Sequence, residues 1–165
     1  MSNDTNLKKI LTIKFLNMTI KELNNFITEN NILPGDVIVV NKSIIPIDHY
    51  LVYMGKDTNN SNWFMANLKS KGGVSWLSEQ EVSSKSNGMH PDRIRRFKKN
   101  KIERKEALER AKSNLGESYD LITNNCEHFA NEVQFNKKSS RQVTVFKIAA
   151  AVLLALGIGN ILKNE

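Results

Sequence analysis

Residues 36–68, DVIVVNKSIIPIDHYLVYMGKDTNNSNWFMANL, are the stretch whose reading decides the fold. DVIVVN, Asp36 to Asn41, is short and β-branched and reads as a buried strand. HYLVYMG, His49 to Gly55, is a second strand ended by glycine, and NWFMANL, Asn62 to Leu68, is a third. NKSIIPI between the first two reads as a loop interrupted by Pro46, and DTNNSN before the third has turn chemistry. The spacing predicts an antiparallel meander. GGVSWLS supplies a fourth strand, and DRIRRF a fifth at an edge, where its charges discourage pairing between copies.

Helical periodicity flanks this stretch. In TIKELNNFITENN, Thr19 and Glu22 have capping-box spacing, and Ile20, Leu23, Phe26 and Ile27 share one face. A helix is expected over Ile20 to Glu29, stopped by Asn30, Asn31 and Pro34-Gly35. On the other side, KIERKEALERAKSNLG has strong helix formers and Gly116 as a stop, and a further helix follows from Asn125 to Phe135. Strands followed by helices predict an α+β fold, an antiparallel sheet packed against helices. The 165 residues suffice for one globular domain.

One cysteine excludes an internal disulfide and fits a reducing compartment. The N-terminal MSNDTNLKKILTIKFLNM lacks a long apolar run and a small-residue cleavage site, so no secretory signal is expected. The formal charge of +7 is concentrated in RIRRFKKNKIERK, Arg93 to Lys105, where eight Lys/Arg face one Glu. Such a stripe can meet anionic lipid, nucleic acid or only water. Interleaved aromatics are few beyond Phe97, so nucleic acid is not expected. The segment VTVFKIAAAVLLALGIGNIL, Val143 to Leu162, favours lipid headgroups. Its twenty residues hold one charge, Lys147, but its uninterrupted apolar run, Ile148 to Gly159, is twelve. Twenty is about enough to span a bilayer, and twelve suits an interfacial or buried helix. Lys137, Lys138, Arg141 and Lys147 fit a tail anchor behind a cytoplasmic domain.

The lone thiol lies in NNCEHFANEV. A helix from Asn125 places Cys126, Phe129, Ala130 and Val133 on one face, so the sulfur turns inward with the apolar stripe. In the first turn the helix dipole favours thiolate, and a nearby imidazolium is needed for full activation. His128, two residues on, falls on another side of the helix, and His90 in NGMHPD reads as a loop residue. His49 alternates with Leu51 and Tyr53 and is expected to point to the same buried face as they do. A strand histidine facing a helix-start cysteine is a recurrent general-base arrangement, while a hydrogen-bonded core histidine is the plainer alternative. No His/Cys/carboxylate cluster suggests a metal, and no cofactor is expected.

NNCEHFANEV, together with PGDVIVVNKSIIPIDHYLVYMG and the apolar tail, resembles the lecithin:retinol acyltransferase-like family. Its phospholipase A/acyltransferase branch, the HRAS-like suppressor proteins, is most similar. The shared features are Pro34-Gly35-Asp36, the histidine box His49 to Gly55 and the cysteine box Asn125 to Phe129. The resemblance implies a circularly permuted papain-like, NlpC-type fold with a C-terminal hydrophobic helix. It also implies three parts: a helical extension over 1–32, a catalytic domain over 33–138 and a basic-flanked membrane anchor over 139–165. Cys126 would be the nucleophile and His49 the base. The family's second histidine is replaced here by Asn67 as the orienting residue. The implied activity is acyl transfer from glycerophospholipid through a Cys126 thioester, to water or to an amine, at the cytoplasmic face of an intracellular membrane. An inactive interaction protein of the same fold, or a cysteine peptidase or amidase, are the rival readings.

Overall fold

A computed structural model describes residues 18–42, 45–85 and 89–161; residues 1–17, read above for a secretory signal, and Leu162 of the apolar tail lie outside them. The elements are α1 (Ile20–Glu29), β1 (Val37–Lys42), β2 (Ile45–Lys56), β3 (Asn62–Leu68), β4 (Gly73–Ser78), α2 (Glu79–Lys85), β5 (Met89–Arg95), α3 (Lys101–Ser113), α4 (Cys126–Phe135) and α5 (Arg141–Ile161). The five strands form one sheet in the order β4-β3-β2-β1-β5, each neighbour antiparallel. The α+β expectation and the meander therefore hold, and β5 closes the edge beyond β1.

Both faces of the sheet are buried. On one, Val37, Val39, Tyr50, Val52, Met65 and Val74 pack with Ala107 and Ala111 of α3 and with Cys126, Phe129, Ala130 and Val133 of α4. On the other, Ile38, Val40, Leu51, Tyr53, Phe64 and Leu77 pack with Leu23 and Ile27 of α1 and Val82 of α2. Two covered faces explain why Val37 to Val40 are apolar in succession rather than alternating. Helix α1 starts as its spacing predicts: Thr19 Oγ1 accepts from the Glu22 N–H at 3.2 Å, and the Glu22 carboxylate accepts from the Thr19 N–H at 2.7 Å.

Two expectations are corrected, and one helix is added. NKSIIPI is not a loop throughout, because β2 begins at Ile45, paired with Lys42, and the next pair is Asn41 with Asp48. Two residues, Pro46 and Ile47, are thus extra on β2, and a proline is tolerated where the ladder asks for no N–H. His90, expected in a loop, lies in β5 opposite Asn41. The following Pro91 sits at a register shift of this edge strand, again where proline costs no ladder bond. Helix α2 was not foreseen: it is seven residues with one buried apolar side chain, Val82, too short for a periodic signal.

Candidate active site

Asn125 caps α4 and fixes where Cys126 stands. Its Oδ1 accepts from the N–H groups of Glu127 and His128 at 2.9 and 3.1 Å. The Asn125 N–H in turn donates to His128 Nδ1 at 3.3 Å, closing the cap. His128 is therefore a capping residue, buried, and burial with help from Lys138 and Lys147 holds its imidazole below the usual range against the pull of Glu127. Cys126 is 6% exposed and shares its cluster with Phe129, Ala130 and Val133, the face predicted from spacing.

The sulfur meets the backbone of β2. Cys126 Sγ lies 3.7 Å from the Asp48 carbonyl oxygen and also faces the Tyr50 N–H. These two contacts bracket His49, which is half-buried. The room for the thiol arises because the β2–β3 ladder runs only from Lys56–Asn62 to Val52–Met65, so the strands part beside residues 49–51. This corrects the alternation argument for His49. Leu51 and Tyr53 pack beneath α1, whereas Tyr50 and Val52 share the cluster of Cys126. The sulfur thus meets the parted edge of β2 at the backbone on either side of His49, and not the face that Leu51 and Tyr53 define.

Burial pushes the Cys126 thiol up to about 11, although the N–H groups of Tyr50, Cys126 and Glu127 pull it down. The expected lowering by the helix start is real but smaller than the cost of leaving water. In this state the thiol keeps its proton at neutral pH.

Asn67 is fully buried on β3, opposite Val74. Its Nδ2 donates to the Asn124 carbonyl at 2.7 Å, and its Oδ1 has no hydrogen-bond partner among the described residues. A carbonyl can only accept, so Asn124 fixes the amide with Nδ2 toward itself and leaves Oδ1 as a lone buried acceptor. Such an acceptor calls for a donor.

The loop into α4 is tightly held. Asp120 Oδ1 accepts from the N–H groups of Ile122 and Thr123 and from the Thr123 hydroxyl, at 2.7–2.9 Å. Upstream, the loop is stitched to β4: Val74 N–H donates to Glu117 O, Gly116 N–H to Val74 O and Tyr119 N–H to Gly72 O, each at 2.9 Å. A Cβ on Gly73 would stand 2.0 Å from Glu117 O, so only glycine permits this approach.

Two residues that the sequence reading passed over complete the site. Glu127, 5% exposed, accepts from Ser140 Oγ at 2.6 Å and from the Gln142 N–H at 3.0 Å. Burial pushes its carboxyl up, but these bonds and the Arg141 N–H outweigh it and hold the group below the usual carboxylate range. Gln142 grips Asp48: its Oε1 accepts from the Asp48 N–H at 3.0 Å, and its Nε2 donates to the Asp48 carbonyl at 3.4 Å. The available signal was Ser140, an N-cap residue type just before the apolar helix.

The basic stripe divides by residue type. Arg96 and Arg104 pair with buried Asp36, Arg93 pairs with Asp48, and Arg95 lies within 5.3 Å of the ring centres of Tyr50 and Phe135. The arginines thus serve the fold, while Lys98, Lys99, Lys101 and Lys105 are exposed. In α5, Val145, Phe146, Ile148, Leu153, Leu154 and Leu156 are exposed apolar residues. Among the described residues, however, no helix is long and apolar enough to cross a membrane. The described side chains reach only Leu156, which leaves nine apolar residues after Lys147; the rest of the expected span lies outside them. Among the described residues no group of three or more metal-ligating side chains is found.

A buried helix-start thiol set against a sheet strand that carries a histidine, on an α+β scaffold, defines a class of cysteine-centred domains. Within it, the chain belongs to the lecithin retinol acyltransferase family, whose model matches residues 30–139, two thirds of the 165. The chain has no significant match to a curated protein or to a solved structure.

Proposed function

We propose that the protein is a thiol-dependent acyl hydrolase or acyltransferase acting on glycerophospholipids, with Cys126 as nucleophile, His49 as base and Asn67 as the residue that orients His49. The observation that carries this reading is the placement of Cys126 Sγ between the Asp48 carbonyl and the Tyr50 N–H, on either side of His49. His49 takes the thiol proton as sulfur adds to the ester carbonyl carbon. The oxyanion is met by backbone N–H groups at the start of α4, that of Cys126 among them. Collapse breaks the ester C–O bond, and the departing lysophospholipid oxygen takes the proton from His49. Water or an amine then attacks the thioester, gives its proton to His49, and expels the sulfur, which recovers that proton. Water gives phospholipase A1/A2-type products, and an amine gives an N-acyl product. In this reading the chemistry takes place at a lipid surface, on the cytoplasmic side of an intracellular membrane, and the exposed lysines and exposed apolar residues of α5 are its support.

The test is intact mass after incubation of the full chain with a short-chain phosphatidylcholine. Wild type gains one acyl group; Cys126→Ala gains none, and His49→Ala accumulates none. Folded wild type that yields neither adduct nor fatty acid at any pH between 6 and 9 overturns the lipid reading and leaves the interaction protein and the peptidase or amidase as the surviving ones.

Asn67 Oδ1, without a partner among the described residues, is an acceptor of the kind an imidazole N–H needs, and that is the support this reading draws from the residue. Asn67→Leu removes the acceptor and is expected to slow turnover by about tenfold. Asn67→His presents one donor for Asn124 O and one acceptor for His49, and should equal or exceed wild type. Steady-state rates on the same lipid check both; an undiminished Asn67→Leu enzyme removes Asn67 from the site.

A further inference from the structure

Helix α5 begins on the site itself. Ser140 Oγ accepts from the Val143 N–H at 3.2 Å and donates to Glu127, the residue after Cys126. The Gln142 N–H reaches the same carboxylate. The Gln142 side chain turns the other way and takes both backbone groups of Asp48, the residue before His49. The start of α5 is thus bonded to α4 at the residue following Cys126 and to β2 at the residue preceding His49. The Asp48 carbonyl receives both Gln142 Nε2 and the Cys126 thiol. Here β2 has already parted from β3, so a side-chain amide does the work that a neighbouring strand does elsewhere.

We propose that Gln142 is a positioning residue that, with Glu127, sets the separation of Cys126 and His49 and couples it to the seat of α5. The inference rests on the reading of those two residues as the reacting pair. Glu127 and Gln142 touch no reacting atom of the substrate in this account. They act by holding the backbone on each side. Without the clasp, Asp48 loses its N–H partner and one of the donors to its carbonyl, the end of β2 frays, and His49 no longer meets the sulfur at a fixed distance.

The experiment uses the full chain and its only cysteine. The rate of Cys126 alkylation by iodoacetamide is followed against pH in wild type, Gln142→Ala, Gln142→Glu and His49→Ala, alongside kcat and KM on a short-chain phosphatidylcholine. Gln142→Ala should lose about 10–100-fold in kcat with KM changed less than about threefold, as expected when alignment rather than binding is lost. Its alkylation profile should move toward that of His49→Ala. Gln142→Glu keeps an acceptor for the Asp48 N–H but sets a carboxylate oxygen against the Asp48 carbonyl, so it should fail in the same way. A fall in melting temperature with an unchanged alkylation profile in both Gln142 variants would make the residue a mere brace and overturn the proposal. A profile unmoved in His49→Ala defeats instead the pairing of Cys126 with His49. Should Gln142→Ala not fold, Glu127→Gln serves: it keeps one acceptor, and an intermediate loss of kcat is expected, while wild-type kcat and profile overturn the coupling.

Discussion

His49→Ala is expected to slow ester cleavage by about 10³–10⁴-fold at pH 7, with KM little changed. The size follows from the thiol. Held up to about 11 by burial, Cys126 is ionised in about one molecule in 10⁴ at pH 7. A base that removes the proton as sulfur attacks makes that small population irrelevant. Without the base, the rate follows the thiolate and should rise about tenfold per pH unit through the alkaline range. Cys126→Ala has no thiol route and should show no such rise. The pH–rate profile of the two variants, measured on one lipid, separates these cases. A His49→Ala enzyme within tenfold of wild type at pH 7 would place the base elsewhere.

Asp36→Asn should cost about 3–5 kcal/mol of folding stability, the effect of breaking a buried charge cluster from one side. The carboxylate is 1% exposed and accepts from the Leu33 and Phe97 N–H groups and from Arg96 and Arg104. Arg104, 20% exposed, also donates to the Pro34 carbonyl at 2.6 Å, so it cannot follow a lost partner into water. Arg96 is 41% exposed, and its share is the smaller. An asparagine would turn an amide donor toward one of these cations. Urea unfolding should show a lower midpoint with an unchanged slope. The sign with pH is fixed: burial raises the Asp36 carboxyl, but the hydrogen bonds outweigh it and the folded group sits below its ordinary value. Its contribution is full above the ordinary carboxylate range and is lost as pH falls through the folded value. The variant should therefore lose the part of the acid transition that Asp36 supplies.

What the sequence made legible was whatever local periodicity carries. The bounds of α1, the three-strand meander and the inward face of α4 all follow from spacing, because each is decided by neighbours within a few residues. The misreadings have equally physical causes. NKSIIPI and NGMHPD read as loops, yet their prolines, Pro46 and Pro91, sit where the pairing register shifts and no ladder N–H is required. Alternation gave the parity of His49 but not which helix covers which face. With Tyr50 and Val52 as apolar as Leu51 and Tyr53, a strand buried on both sides does not announce its orientation. Gln142 reaches Asp48 across 94 positions, a partnership no window of sequence contains. The arginines of the basic stripe likewise showed their charge but not Asp36 or Tyr50, the groups that occupy them.

The stitching of residues 116–119 to Gly72–Val74 does more than aim the cysteine. Strand β4 is the outer strand on its side of the sheet, and an uncovered outer strand is a template for another chain. Here the loop occupies its hydrogen-bonding groups at residues 72 and 74, and the missing side chain of Gly73 lets it lie close enough to do so. The segment that delivers the thiol is therefore also the guard of the sheet. Damage to it would open the start of β4 to other copies as well as loosen the seat of Cys126.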